Sequence, residues 1–254
     1  VKFLMEPHEK PFFLYFSHYA VHSPLQAKPD MMQRYDVISE KDRQGTPAYA
    51  AMVESVDESL GRLLEVLDKR GIRDQTLVIV TSDNGGFAHA TSNAPLRANK
   101  GSLYEGGIRV PSIATWPKQI KDGSKSVHPS TFYDYFATVS DIIGEALPYE
   151  IDGISYYPTL IGKKQMAHEY LYWEFPAYGG QQAIRINQWK GIKKDLFKGS
   201  SDLQIFNLAD DPKELNNLAS NYPDIVEKMQ RYMDQAHTEA QMEKFKIPVL
   251  DNKN

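Results

Sequence analysis

Thr76-Leu77-Val78-Ile79-Val80-Thr81-Ser82-Asp83-Asn84-Gly85-Gly86 is the stretch on which the fold turns. A β-branched run stops at an Asp-Asn-Gly-Gly turn, so it reads as a strand that delivers a carboxylate and a carboxamide at its C-terminal end. Working back, apolar residues at Tyr49, Met52, Val53, Val56, Leu60, Leu63, Leu64 and Leu67 advance in steps of three, one and four, the stripe of an amphipathic helix. Pro47 suits its first turn and Gly71 its end. Further back, Phe12-Phe13-Leu14-Tyr15-Phe16 is apolar on both faces and predicts a buried parallel strand over 12–17. Strand, helix and strand in succession predict a right-handed parallel unit with helices covering the sheet.

Working forward, residues 84–107 are rich in Gly, Asn and Ala and longer than an ordinary connection, as functional loops are. Ile108 to Trp116 reads as another strand, interrupted by Pro111. Phe132, Tyr135, Phe136, Val139, Ile142, Ile143 and Leu147 form a second helical stripe, closed by Pro148. After about Lys164 the period changes. Tyr170 to Phe175, Ala183 to Ile192 and Leu203 to Leu208 predict antiparallel strands, and Ile225, Val226, Met229, Tyr232, Met233 and Ala236 a final helix. The expected organisation is an α/β domain over 1–164 and a small α+β subdomain over 165–254, with a loosely held tail after about Lys244.

The 254 residues carry 29 Lys and Arg against 33 Asp and Glu, a net charge of −4. That balance excludes the basic footprint of a nucleic-acid binder. No apolar run approaches the roughly 20 residues that span a bilayer. Cysteine is absent, which excludes disulfides, thiolate metal sites and a cysteine nucleophile within these residues. The chain opens at Val1 and is in an apolar run by Phe12, so it is expected to be a fragment that begins in mid-domain.

Asp83 and Asn84 offer hard oxygen ligands suited to Ca²⁺ or Mg²⁺; the competing reading is an ordinary Asp-Asn-Gly turn. His22, in His22-Ser23-Pro24, follows the first strand and can give a hydrogen bond or a proton to a departing oxygen, or is a solvent-exposed loop histidine. Lys100, among Gly101, Gly106 and Gly107, is either a cation facing a small anion or a solvated loop charge. Glu105 and Arg109 read as a structural ion pair. Lys190, Lys193, Lys194 and Lys198 read as a solvated face, with an anionic substrate as the alternative. Trp173, Tyr178 and Trp189 read as subdomain core, with stacking on sugars as the alternative.

The order of these segments carries a resemblance. Pro11-Phe12-Phe13-Leu14-Tyr15 with His22-Ser23-Pro24, then Thr81-Ser82-Asp83-Asn84-Gly85-Gly86, then Lys100-Gly101 with Tyr104-Glu105-Gly106-Gly107-Ile108-Arg109-Val110-Pro111, resembles the second half of a type I, formylglycine-dependent sulfatase of the alkaline phosphatase superfamily. Ala183-Ile184-Arg185 with Trp189-Lys190, and Leu203-Gln204-Ile205-Phe206-Asn207-Leu208 with Asp211-Pro212 and Glu214 to Ala219, resemble that family's C-terminal region. The resemblance runs from about Pro11 to about Tyr232. It implies an alkaline-phosphatase-like, largely parallel sheet flanked by helices, incomplete here, with a small C-terminal α+β subdomain.

The resemblance further implies that Asp83 and Asn84 ligate a divalent metal, Ca²⁺ before Mg²⁺. It implies that His22 and Lys100 contact the sulfate ester, with His22 as the acid for the leaving oxygen. His89, Asn93 and Arg97, on the long loop, are candidate substrate-lining residues. The family makes its nucleophile from a Cys or Ser in a Cys/Ser-x-Pro-Ser-Arg-like segment, and no such segment occurs here. The nucleophile and the remaining metal ligands are therefore expected from an N-terminal half outside this chain, which is the partner the fragment requires. The implied protein is periplasmic or secreted and acts on a sulfated sugar or aryl sulfate. Alternatives are a phosphatase or phosphonate monoester hydrolase of the same superfamily, or a non-catalytic module that binds sulfated glycans.

Overall fold

The structure is a computed structural model that describes residues 1–251. In chain order its elements are α1 (Lys2–Met5), α2 (Pro29–Asp36), α3 (Pro47–Lys69), β1 (Val78–Thr81), α4 (Glu105–Ile108), β2 (Ser112–Thr115), α5 (Asp134–Ile143) and α6 (Tyr157–Leu160). There follow β3 (Leu171–Phe175), β4 (Gln181–Ile186), β5 (Trp189–Lys193), β6 (Gln204–Asn207), α7 (Pro223–Ala236) and α8 (Pro248–Asp251). Two units emerge: Val1–Thr81 with Ser112–Met166, and Ser82–Pro111 with the residues from Ala167 onward. The sequence suggests one cut after residue 164; in the structure the stretch Ser82–Pro111 also belongs with the second unit.

In the first unit α3 forms where its stripe predicts. Thr46 Oγ1 accepts from the Tyr49 N–H at 3.3 Å, Pro47 opens the first turn, and Gly71 at φ +65° lies just past the end. Near its start, buried Met52 shares this region with buried Met31 of α2, whose sulfur accepts from Ser55 Oγ at 3.5 Å. Near its end, Val66 and Leu67 pack with Leu4 of α1, surrounded by Phe12, Leu63, Leu64, Ile72 and Val78. The Arg70 guanidinium ties the ends together, donating to the carbonyls of Leu4 and Glu6 at 2.8 and 2.6 Å. On α5 the Asp134 carboxylate, fully buried, accepts from the N–H groups of Thr131 at 2.7 Å and Ile154 at 2.9 Å. That helix ends at Gly144 (φ +72°), before Pro148 is reached.

Two expectations fail here. Residues 12–17 join no ladder among the described residues, and Phe13 and Tyr15 are 74% and 78% exposed. An apolar run buries both faces only when a sheet lies beside it, and no described strand pairs with this one. The parallel strand–helix–strand unit is also not formed. β1 pairs with β2 in antiparallel register, Val78 opposite Thr115 and Thr81 opposite Ser112. The strand expected from Ile108 begins only at Ser112, because Glu105–Ile108 is a helical turn and Pro111 has no N–H to give a ladder.

The second unit is built on an antiparallel sheet of order β3-β4-β5-β6. The run Ala183 to Ile192, read as one strand, is a hairpin. Ile186 pairs with Trp189 across Asn187-Gln188, and Asn187 holds φ +53°. One face of the sheet, with Ala183, Ile192 and Phe206, packs against Leu103, Tyr104 and Leu208. The other, with Ile184, Ile186 and Ile205, packs against Met229 and Met233 of α7. Helix and sheet lie so close that a Cβ on Gly191 would fall 2.8 Å from the Met229 sulfur. Up to Asp251 the segment past Lys244 is held rather than loose: Ile247 and Leu250 are buried with Leu196, and the Asp251 carboxylate accepts from the Ala240 N–H at 3.0 Å; the rest of the expected loose tail lies outside the described residues.

Candidate active site

The loop Ser82–Pro111 is folded back on itself by backbone contacts that only glycine allows. The Gly85 N–H donates to the Gly107 carbonyl at 2.9 Å, and the Gly106 N–H to the Arg97 carbonyl at 2.8 Å. A Cβ on Gly106 would fall 2.2 Å from the Ala98 carbonyl oxygen and 2.4 Å from that of Arg97. The glycines near Lys100 thus serve chain-to-chain packing, with Gly106 and Gly107 buried. Asn93 staples the same loop. Its Oδ1 accepts from the Gly86 N–H at 2.9 Å, and its Nδ2 donates to the Gly86 carbonyl at 3.0 Å and to Asn99 Oδ1 at 2.8 Å.

A charged cluster anchors this loop to the sheet. Lys190 of β5, read from sequence as part of a solvated face, is fully buried, and Lys193 is 5% exposed. Lys190 Nζ lies 2.8 Å from Glu105 Oε1 and 3.0 Å from Glu214 Oε1. Glu214 Oε2 accepts from the Glu105 N–H at 2.7 Å, at the start of α4. Two buried carboxylates thus share one ammonium. Arg109 approaches Glu105 at 3.8 Å with its side chain more than half exposed, the ion pair expected from sequence. Burial pushes the Glu214 carboxyl above its ordinary range and outweighs the pull of Lys190 and of the Glu105 N–H. No sequence pattern announced this cluster: Lys190 and Glu105 are 85 positions apart.

The residues singled out by sequence are distributed as follows. His22 belongs to the first unit and is exposed. Its Nδ1 lies 2.8 Å from the Ser23 carbonyl; a proton on Nδ1 leaves Nε2 an acceptor in the neutral ring and a donor in the charged one. Asp83, Asn84, His89, Arg97 and Lys100 belong to the second unit. Within it, the Lys100 N–H donates to the Gly86 carbonyl at 3.1 Å, which joins the segment carrying Lys100 to the one carrying Asp83 and Asn84. Both Lys100 and Asp83 are exposed. His89 is exposed, its ring 5.1 Å from that of Phe87. Arg97 is engaged in packing: its guanidinium lies 4.0 Å over the Tyr104 ring and donates to the Glu214 carbonyl at 2.5 Å.

Asn84 Oδ1 is buried and has no hydrogen-bond partner. An unpaired buried amide oxygen costs free energy unless a donor or a cation meets it, and the carboxylate of the preceding residue, Asp83, is of the same hard-donor type. These two side chains fit a divalent cation in donor chemistry. Among the described residues no three His, Asp or Glu side chains are grouped to hold a metal. No helix of the described residues is long and apolar enough to cross a membrane.

Comparison with known proteins adds independent findings. Residues 1–145 match the family model described as Sulfatase, and residues 98–239 that of the N-sulphoglucosamine sulphohydrolase C-terminal region. A protein of Formosa agariphila named Sulfatase is 34% identical over 241 residues, covering 85% of this chain and 43% of that protein. Human steryl-sulfatase is 35% identical over 189 residues, 70% of this chain and 31% of the enzyme. A crystal structure of Ps i-CgsB in complex with k-i-k-neocarrahexaose superimposes with a TM-score of 0.80 at 34% identity, over 92% of this chain and 51% of that one. The chain spans between 31% and 51% of the length of these relatives.

Proposed function

The chain belongs to the sulfatase family, with its alkaline-phosphatase-like α/β fold, and on that footing we propose that it is the C-terminal part of a hydrolase that cleaves the sulfate ester of a sulfated sugar. The observation that carries this reading is the buried, unpaired Asn84 Oδ1 beside Asp83, on a loop whose Gly86 carbonyl also receives the Lys100 N–H. Asp83 and Asn84 would hold a divalent cation, Ca²⁺ in preference to Mg²⁺ because flexible oxygen donors suit the larger ion. When bound, such a cation supplies positive charge that offsets the sulfate oxygens.

The remaining roles fall to this chain's own groups. Lys100 contributes an ammonium to the anionic ester, and its exposure leaves the side chain available to substrate. Ester cleavage leaves an alkoxide oxygen that needs a proton, and the protonated His22 ring can donate one from Nε2. His89, exposed on the same loop, lines the approach, whereas Arg97, expected beside it, is taken up by the Tyr104 ring and the Glu214 carbonyl. The formylglycine nucleophile and further metal ligands belong to an N-terminal half, which would also cover Phe13, Tyr15 and Phe16, now exposed. The setting is periplasmic or secreted. A sulfated glycan is favoured as substrate over an unconjugated aryl sulfate by the carrageenan oligosaccharide bound in the Ps i-CgsB structure.

The test uses the full-length protein. Hydrolysis of 4-nitrophenyl sulfate and of a sulfated sugar should fall on the order of 10²-fold or more in Asp83→Ala and in Lys100→Ala. His22→Ala should hurt the sugar substrate more, since only the poorer leaving group needs the proton. Wild-type rates in Asp83→Ala would reject the assignment.

A further inference from the structure

Of the three aromatic residues that could stack on sugars, two are engaged in packing. Trp173 packs against the core of the sheet, and the Trp189 ring lies 4.8 Å from that of Tyr222. Tyr178 differs in exposure, although its ring lies 5.9 Å from that of Phe175. It sits in the turn between β3 and β4, 77% exposed, and its backbone is held at φ +50°. Gly179 and Gly180 follow at φ +90° and +76°, so three successive residues are left-handed. A tyrosine in that region is strained, and such strain persists only where the surroundings impose it.

The surroundings are the loop that carries Lys100. A Cβ on Gly101 would fall 2.7 Å from Tyr178 Cε2 and 3.1 Å from Cζ, so the ring rests directly on the backbone next to Lys100. Gln181 bolts the turn to that backbone: its Nε2 donates to the Gly101 carbonyl at 2.9 Å, and its Oε1 accepts from the Leu103 N–H at 3.1 Å. From the other side the Phe197 N–H donates to the Gly179 carbonyl at 3.0 Å. The result is a large ring, mostly in water, clamped in a fixed position against the backbone that adjoins exposed Lys100.

We infer that Tyr178 is a specificity-determining residue: its ring is the platform on which a sugar ring of a sulfated glycan stacks while Lys100 meets the sulfate. The C–H face of a pyranose is apolar and matches an aromatic face, whereas a sulfate needs a cation, and the two requirements are met by adjacent segments. The inference rests on the reading of Lys100 as a sulfate contact.

The experiment compares Tyr178→Ala and Tyr178→Phe in the full-length protein on 4-nitrophenyl sulfate and on a carrageenan hexasaccharide. Tyr178→Ala should raise KM for the hexasaccharide about tenfold and leave 4-nitrophenyl sulfate turnover within about twofold, while Tyr178→Phe keeps the wild-type KM because the ring, not the hydroxyl, stacks. Equal loss on both substrates, or none on the hexasaccharide, overturns the platform. If the wild-type protein hydrolyses neither, the hydrolase reading fails separately, and calorimetry with the same hexasaccharide and its desulfated form decides. Weaker binding of both to Tyr178→Ala supports the platform; unchanged or absent binding overturns it.

Discussion

The sheet of the second unit is covered on both faces, by the 103–108 segment on one and by α7 on the other, and inside that shell a lysine and two glutamates are buried together. The first unit has a two-stranded ladder and keeps aromatic side chains at 13, 15 and 16 in water, with Ile113 of β2 itself 64% exposed. One region buries a cluster of three charges; the other buries the Asp134 carboxylate but leaves much of its hydrocarbon exposed. The difference teaches that burial follows from how many elements close around a residue, not from the polarity of the residue. Charges tolerate the interior only where partners close around them, as Glu105 and Glu214 close around Lys190. Apolar rings stay in water where no element among the described residues covers them.

The strongest way to break this comparison is to remove the cation. Lys190→Met leaves two buried carboxylates without their shared partner and should cost about 3–5 kcal/mol in denaturant unfolding. Adding Glu105→Gln and Glu214→Gln to that variant should recover part of the loss. If Lys190→Met melts like wild type, the triad does not anchor the loop. Next comes backbone packing. Gly106→Ala drives a methyl into two carbonyl oxygens and should cost about 1–3 kcal/mol, whereas the same change at Gly61 on α3, with open space around it, should be neutral or stabilising.

A smaller effect is expected from pH. Burial raises the Glu214 carboxyl above its ordinary 4.5, so in the window above that value the folded protein binds more protons than the unfolded chain. This contribution is complete below 4.5 and is lost as pH rises through the raised value. Glu214→Gln should flatten that portion of the stability curve; an unchanged slope would place its origin elsewhere. The smallest effect belongs to the exposed rings. Phe13→Ser and Tyr15→Ser should each change the stability of this chain by no more than about 0.5 kcal/mol. In the full-length protein the same changes should cost more than about 1 kcal/mol if an N-terminal half covers them, and equal small costs in both settings would argue against that cover.

What the sequence made legible was local. α3, α5, α7 and the strand 78–81 follow from periodicity and from Thr46, Pro47 and Gly71, because a helix or strand declares its own faces. The strand end that leads into Asp83 and Asn84 was readable for the same reason. What stayed hidden depends on neighbours. Phe12 to Phe16 records which environment would suit those side chains and not whether one is supplied. The hairpin at Asn187-Gln188 had a signal in Asn187, a residue that tolerates positive φ, but its flanking apolar residues masked it. Lys190 looks like any surface lysine until Glu105 and Glu214 are brought to it by the fold. Tyr178 betrays its exposure only through a backbone conformation that no composition predicts.

The methionines beneath the sheet carry one more consequence. With no cysteine in the chain, thioethers hold all of its sulfur, and they are sorted by access to solvent. Met229 and Met233 are sealed between α7 and the sheet and Met31 lies under α3, while Met5, Met166 and Met242 stand in water. Peroxide oxidises a thioether only when it reaches it, so each sealed sulfur is converted at the rate at which its own surroundings open. Peptide mass spectrometry over a time course of oxidation would therefore time the breathing of the two units separately: Met31 and Met52 serve as the clock of one and Met229 and Met233 as that of the other.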